Sequence, residues 1–230
     1  MMNFDSITTR GYDFRIGKYI SDGFELFKKD MGGFIVATLL AIVMSIIPFC
    51  GVLAMGNFLK ICKKVDEGQK LEAGDIFDFT DFWVYFKFLI LLLAVIFVLM
   101  IPIQISLMPI IIAASEGEQL DPAIMIGGMG IWIFLYVLFL IAFSVSFYFV
   151  QPLISIHRIQ SVRQAYSLSW KIAKKNFLVI FLFLIVVGII AELGIIACGI
   201  GLIFTIPVGI CIKYMSFKDV LETQNQKIGL

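Results

Sequence analysis

A chain of 230 residues with 60% hydrophobic and only 15% charged side chains, and a mean hydropathy of +1.00, lies outside the range of soluble domains, where about 45–50% apolar is usual. Its 18 lysines and arginines nearly balance 17 acids, which excludes the strongly basic character of a nucleic-acid partner. A single histidine removes His-rich metal sites and His-based triads, and no glycine-rich phosphate loop ends in Lys-Ser or Lys-Thr. The expectation is an all-α polytopic membrane protein that is not an enzyme and holds no metal and no cofactor.

Residues 1–30 carry five acids and five bases without a continuous apolar run, so no signal peptide is expected. Ile16, Tyr19, Ile20, Gly23, Phe24 and Phe27 recur on one helical face, with Lys18, Asp22, Glu25 and Lys29 opposite, which predicts an amphipathic helix and a Glu25–Lys29 pair. Met31 to Leu59 is then uncharged for 29 residues. As one straight helix it would reach about 43 Å, too long for a hydrocarbon core of roughly 30 Å. A hairpin with its turn at Pro48-Phe49-Cys50-Gly51 is expected instead, Gly51 taking positive φ. Its short legs form a re-entrant loop, thin the bilayer locally or use longer flanks.

The link at residues 65–87 carries Asp75, Asp78 and Asp81 at three-residue spacing among Phe77, Phe79, Phe82 and Trp83. A cation site is conceivable there, but solvated acids on a short interfacial helix are the expectation. Residues 88–156 form a central hairpin: Phe88–Ala113 and Ala123–Ile154 flank an acidic loop at 114–122. Gln104 and Ser106 lie between Pro102 and Pro109, a kinked polar stretch that either lines a cavity or only bends the helix. His157 is expected at the membrane interface.

From His157 to Lys175 the chain has five bases, Arg158, Arg163, Lys171, Lys174 and Lys175, and no acid. Val162, Ala165, Tyr166, Ser169, Ile172 and Ala173 form the less polar stripe of a second surface helix. Such a helix is expected to lie in the cytoplasmic interface with its bases among anionic headgroups or against a partner. Phe177 to Ile212 repeats the apolar hairpin over 36 residues with Glu192 as its one charge. An acid inside an apolar span is a functional candidate, although the hairpin places it at an external turn. A cytoplasmic tail, 218–230, ends the chain.

All 18 basic residues fall in 10–29, 60–87, 158–175 and 213–227. The positive-inside rule then makes these segments and both termini cytoplasmic and the 114–122 loop external. The unit Gly23–Asp30 reappears 146 residues later as Ser169–Asn176, each time leading into membrane. The expected architecture is therefore a single membrane domain with about six transmembrane helices in three hairpins, two cytoplasmic amphipathic interfacial helices and a parallel internal repeat. The first repeat covers 1–64 and the second 157–217. Cys50 matches Cys198 and Cys62 matches Cys211 between the repeats, as a Cys50–Cys198 disulfide or, as expected, as small residues at helix contacts.

The run from Ser161 to Phe177, followed by Cys198 to Pro207, resembles bacterial and archaeal integral membrane proteins of the YciC, DUF4013 and DUF975 kind. It is also similar to the membrane domain fused to some glycerophosphoryl diester phosphodiesterases. The resemblance implies a six-helix prokaryotic inner-membrane protein without an established catalytic site. The chain has no room for a phosphodiesterase domain, so that activity is not carried over. Two functions are compatible with these features. One is a lipid-contacting scaffold or accessory subunit, binding anionic membrane lipids or a membrane-protein partner through Arg158, Arg163, Lys171, Lys174 and Lys175. The other is a small transporter or channel with an intramembrane polar site at Gln104 and Glu192.

Overall fold

The structure, a computed structural model, describes residues 7–8, 11–116, 122–196 and 201–224. Most of the expected 114–122 loop, and Cys198 with its proposed pairing, lie outside them. Among the described residues the chain is helical with no strand: α1 (Ile16–Lys29), α2 (Met31–Ile46), α3 (Gly51–Asp66), a 3-10 turn (Ala73–Phe77), α4 (Phe82–Glu116), α5 (Pro122–Ser146), α6 (Val150–Ser155), α7 (Val162–Ala173), a 3-10 turn (Lys174–Asn176), α8 (Phe177–Ile196), α9 (Leu202–Lys218) and a π-helical turn (Asp219–Gln224). Three stretches are long and apolar enough to cross a bilayer, namely Phe82–Ile105, Trp132–Ser155 and Val162–Ile195. A fourth counts α1 with α2 across a bend of 94°. Helices α2, α3 and α9 have 16, 16 and 17 residues, about 24–26 Å at 1.5 Å per residue, and do not reach that length alone.

The chain divides into two compact units, Met1–Lys87 with Val145–Leu230, and Phe88–Ser144. The second consists of two apolar helical segments with many exposed large side chains, among them Phe97 and Ile105 on α4 and Phe134 on α5. In water such a surface would drive aggregation, whereas in a bilayer it is the lipid-facing surface.

In the first unit, α1 crosses α9 at Gly23. A methyl group there would lie 2.6 Å from the Ile212 Cα, so only glycine permits this approach. Tyr19, Gly23, Leu26 and Phe27 are the buried residues of α1, while Phe24 is exposed. The helix thus packs through a stripe rotated from the expected one. Glu25 pairs with Lys28 at 2.9 Å rather than with Lys29, which reaches Asp66 at 3.5 Å. The core beside α1 is aromatic: the Phe14 ring meets Tyr19 at 5.0 Å and Phe183 at 5.2 Å, and Tyr148 meets Phe217 at 4.8 Å. Burial of the Tyr148 hydroxyl is satisfied by Ser216 Oγ at 2.5 Å.

The turn between α2 and α3 is not made by glycine. Phe49 takes the left-handed conformation, φ +68°, and Gly51 begins α3. Cys62 and Cys211 meet with sulfurs 4.0 Å apart in the core. These two thiols and that of Cys50 are free and buried, consistent with packing at helix contacts.

Gly23→Ala is expected to destabilise the protein by about 1–3 kcal/mol through overpacking against α9. Gly17→Ala, on the same helix with nothing within 4 Å, is expected to be neutral or to stabilise by up to about 1 kcal/mol. Thermal unfolding in detergent checks both.

Candidate functional site

Helix α7 begins where Ser161 Oγ accepts the Gln164 amide at 3.4 Å, a serine N-cap. Its inner face, Ala165, Ser169, Ile172 and Ala173, is buried against the chain itself, which leaves the basic side facing outward. The Ser169 hydroxyl donates to the Ser146 carbonyl at 2.6 Å and accepts from the Phe149 amide at 3.1 Å. It thereby satisfies backbone groups freed at the break between α5 and α6. From the other side the Tyr12 hydroxyl donates to the Ile172 carbonyl at 3.2 Å, and Asn176 Nδ2 donates to the Tyr12 carbonyl at 2.7 Å.

With the inner face covered, the outward face is set by four-residue steps. Arg163, Ser167, Lys171 and Lys175 make one ridge, and Tyr166, Trp170 and Lys174 the next, all of them exposed. Tyr166, expected on the apolar stripe, stands out beside Phe147 at a ring distance of 4.6 Å. A depression of about 440 Å³ runs along the helix, lined by Ser161, Arg163, Gln164, Ser167, Leu168 and Lys171, without a carboxylate.

Among the described residues, Arg163, Lys171 and Lys174 have no acid within 4 Å, whereas Arg15, Lys18, Lys28, Lys29, Lys60, Lys63, Lys64, Arg158 and Lys218 each do. Lys70, Lys87 and Lys213 also lack one, but they are scattered rather than aligned.

Arg158 is separated from the α7 cluster. Held in the left-handed conformation, φ +56°, it turns to Asp81 at 3.4 Å. Asp81 is fully buried and takes Lys60 Nζ at 2.6 Å and Gln160 Nε2 at 3.1 Å. Asp78 takes Lys60 at 2.8 Å, and Asp75 takes Lys64 at 2.5 Å. The three carboxylates expected to be solvated instead face the lysines of α3, and no group of three metal-ligating side chains forms among the described residues. Burial pushes the Asp78 carboxyl up, but Lys60 and Thr80 outweigh it and hold it below the usual range. Around these pairs lies a cleft of about 430 Å³ whose lining carries both signs of charge. Asn57 Nδ2 beneath it donates to the Ile76 and Asp78 carbonyls at 2.8 Å. His157 is brought down to about 4 by burial and by the charge of Lys63, so at neutral pH it adds no charge.

Two further buried carboxylates are neutralised at the helix ends. Asp66 meets Lys218, Tyr214 and Lys29. Asp219 meets Arg15 at 2.6 Å and the Tyr19 hydroxyl at 2.7 Å. For both, burial raises the carboxyl and the cationic and hydrogen-bonding partners more than reverse it. Sequence reasoning missed these acids and Asp81 because spacing alone does not distinguish a solvated carboxylate from a paired one. Gln104 is exposed in the second unit, and Glu192 is exposed near the end of α8.

A family model described as a protein of unknown function, DUF4013, matches residues 39–200. No curated protein and no solved structure matches the chain.

Asp81→Asn is expected to cost about 3 kcal/mol, since it removes the buried half of the ion pair with Lys60. Asp22→Asn, which breaks the exposed Lys18–Asp22 pair, should change stability by less than about 0.5 kcal/mol. Denaturant titration of the detergent-solubilised protein compares the two.

Proposed function

The chain belongs to the DUF4013 family, and we propose that it is a non-enzymatic membrane protein that holds anionic lipid headgroups against α7, as a lipid-contacting scaffold or accessory subunit of a membrane complex. The observation that carries this reading is the acid-free outward face of α7 and the turn after it. Its cations are exposed and aligned, while most others in the chain are neutralised internally. Near an anionic leaflet each base contributes about 1 kcal/mol. Arg163, Lys171 and Lys174 therefore supply about 3 kcal/mol, enough to fix the orientation of a helix already tethered by its neighbours. Trp170 and Tyr166 suit the same layer, because amphipathic rings favour the headgroup region.

The topology proposed with this function is that of a prokaryotic cytoplasmic membrane protein with both termini inside and three apolar hairpins. Its support is the gathering of lysine and arginine at one end of each hairpin. A parallel duplication is supported by the matching helix orders α1–α2–α3 and α7–α8–α9. It is also supported by the meeting of the equivalent residues Cys62 and Cys211.

Replacing Lys171, Lys174 and Lys175 by Glu is expected to leave membrane insertion intact and to lower co-purified anionic lipid by roughly tenfold or more. Lipid mass spectrometry after gentle solubilisation reads the ratio. Unchanged anionic lipid would sink the proposal, and loss of a co-purifying protein with lipid unchanged would mark the face as a partner contact.

A further inference from the structure

We infer that the α2–α3 hairpin enters one leaflet only and turns back among its acyl chains, instead of emerging on the far side. The inference rests on α4 crossing the membrane and is independent of what α7 contacts.

The first support is the level of the hairpin against α4. Lys60, near the charged end of α3, pairs with Asp81, whose carbonyl accepts the Tyr85 amide in the first turn of α4. The charged end of α3 is therefore level with the start of the Phe82–Ile105 span. From Lys60 back to Gly51 is nine residues, a rise of about 14 Å. The tip is therefore no deeper than about half of a hydrocarbon core of roughly 30 Å. At the tip the Phe49 ring meets the Phe86 ring at 5.4 Å, edge to face. Phe86 is only four residues, about 6 Å, into a 24-residue span, so the tip of the hairpin lies beside the beginning of that span.

The second support is the chemistry of the tip. A turn in water is usually rich in Gly, Pro, Asn, Asp or Ser, and of these the tip holds only Pro48, with Gly51 opening α3. This one reads Ile46-Ile47-Pro48-Phe49-Cys50, with Ile46 78%, Ile47 43% and Phe49 46% exposed. The left-handed position, where glycine or asparagine is ordinary, holds phenylalanine. Several of its polar groups are spared or internally paired: Pro48 has no N–H, the Ile47 amide donates to Met44, the Cys50 amide donates to Ile47, and Ser45 Oγ donates to Ala41 at 2.7 Å. An apolar turn whose exposed side chains are Ile46, Ile47 and Phe49 suits hydrocarbon better than an aqueous loop. The outer side of α2 is likewise apolar and exposed from Val36 to Ile46, a length of about 15 Å, so acyl chains are the occupant that matches it. A hairpin of this depth adds two helix cross-sections to one leaflet and none to the other.

The test places a single cysteine at Ile46 or, as a second site, Val43, in full-length protein with the four native cysteines changed to alanine. Gln69→Cys marks the charged end. The expected result is that Ile46→Cys resists a membrane-impermeant maleimide from both sides of oriented proteoliposomes. A nitroxide attached there should relax with oxygen and not with a water-soluble nickel chelate, at a depth within one leaflet. Maleimide labelling of Ile46→Cys from the side opposite Gln69→Cys would overturn the inference. So would a nitroxide shielded from both relaxants, which would mean that protein and not lipid covers the tip. Labelling of Gln69→Cys from the external side would instead reverse the proposed orientation while leaving the hairpin depth unchanged.

Discussion

A carboxylate removed from water must be neutralised by its surroundings, and in this chain that requirement organises the charged end of the first unit. Asp66, Asp81 and Asp219 have side chains at most 7% exposed. Together they engage Lys29, Lys218, Lys60, Arg158 and Arg15. An unpaired buried ion is costly enough to unfold a marginal protein, so these cations are not free to serve an external ligand. Helix α7 contributes no acid and meets none. Its positive charge is left facing outward because the internal pairs are made elsewhere.

The two amphipathic helices show how one residue can redirect a common pattern. At Asp30 the backbone leaves the helical region, φ −150°, and the carboxylate accepts the Gly33 amide at 2.9 Å. It caps a new helix, and α2 departs at 94° from α1. The equivalent Asn176 keeps helical geometry in its 3-10 turn and uses its amide to hold the Tyr12 carbonyl. Helices α7 and α8 therefore belong to one continuous stretch, Val162–Ile195. The docking points differ in the same way. Gly23 admits the α9 backbone, whereas Ser169 bonds the chain break at Ser146 and Phe149.

The helices, the apolar runs and the clustered bases are legible in the sequence because each is a local signal of period or composition. The acid-free stretch before Lys175 is such a signal, and its cations do lie exposed on α7 and the turn that follows. What covers a helix is not local. The Asp75, Asp78 and Asp81 spacing reads equally well as solvated or paired until the lysines of α3 are set opposite it. Arg158 belongs by sequence to the basic run, yet its left-handed backbone turns it away to Asp81. The turn at residues 48–51 is legible from its proline and glycine, but its left-handed residue is Phe49 and not Gly51, a choice that residue preference does not reveal.

The central claim is that the outward face of α7 sits in an anionic headgroup layer, and Trp170 reports it most directly. A single-tryptophan protein, with Trp83 and Trp132 changed to phenylalanine, is placed in nanodiscs containing anionic lipid spin-labelled at the headgroup. The predicted result is strong quenching of Trp170 that weakens as salt rises. Fluorescence equal to that in nanodiscs without spin label would contradict it, placing the face in water or under another protein.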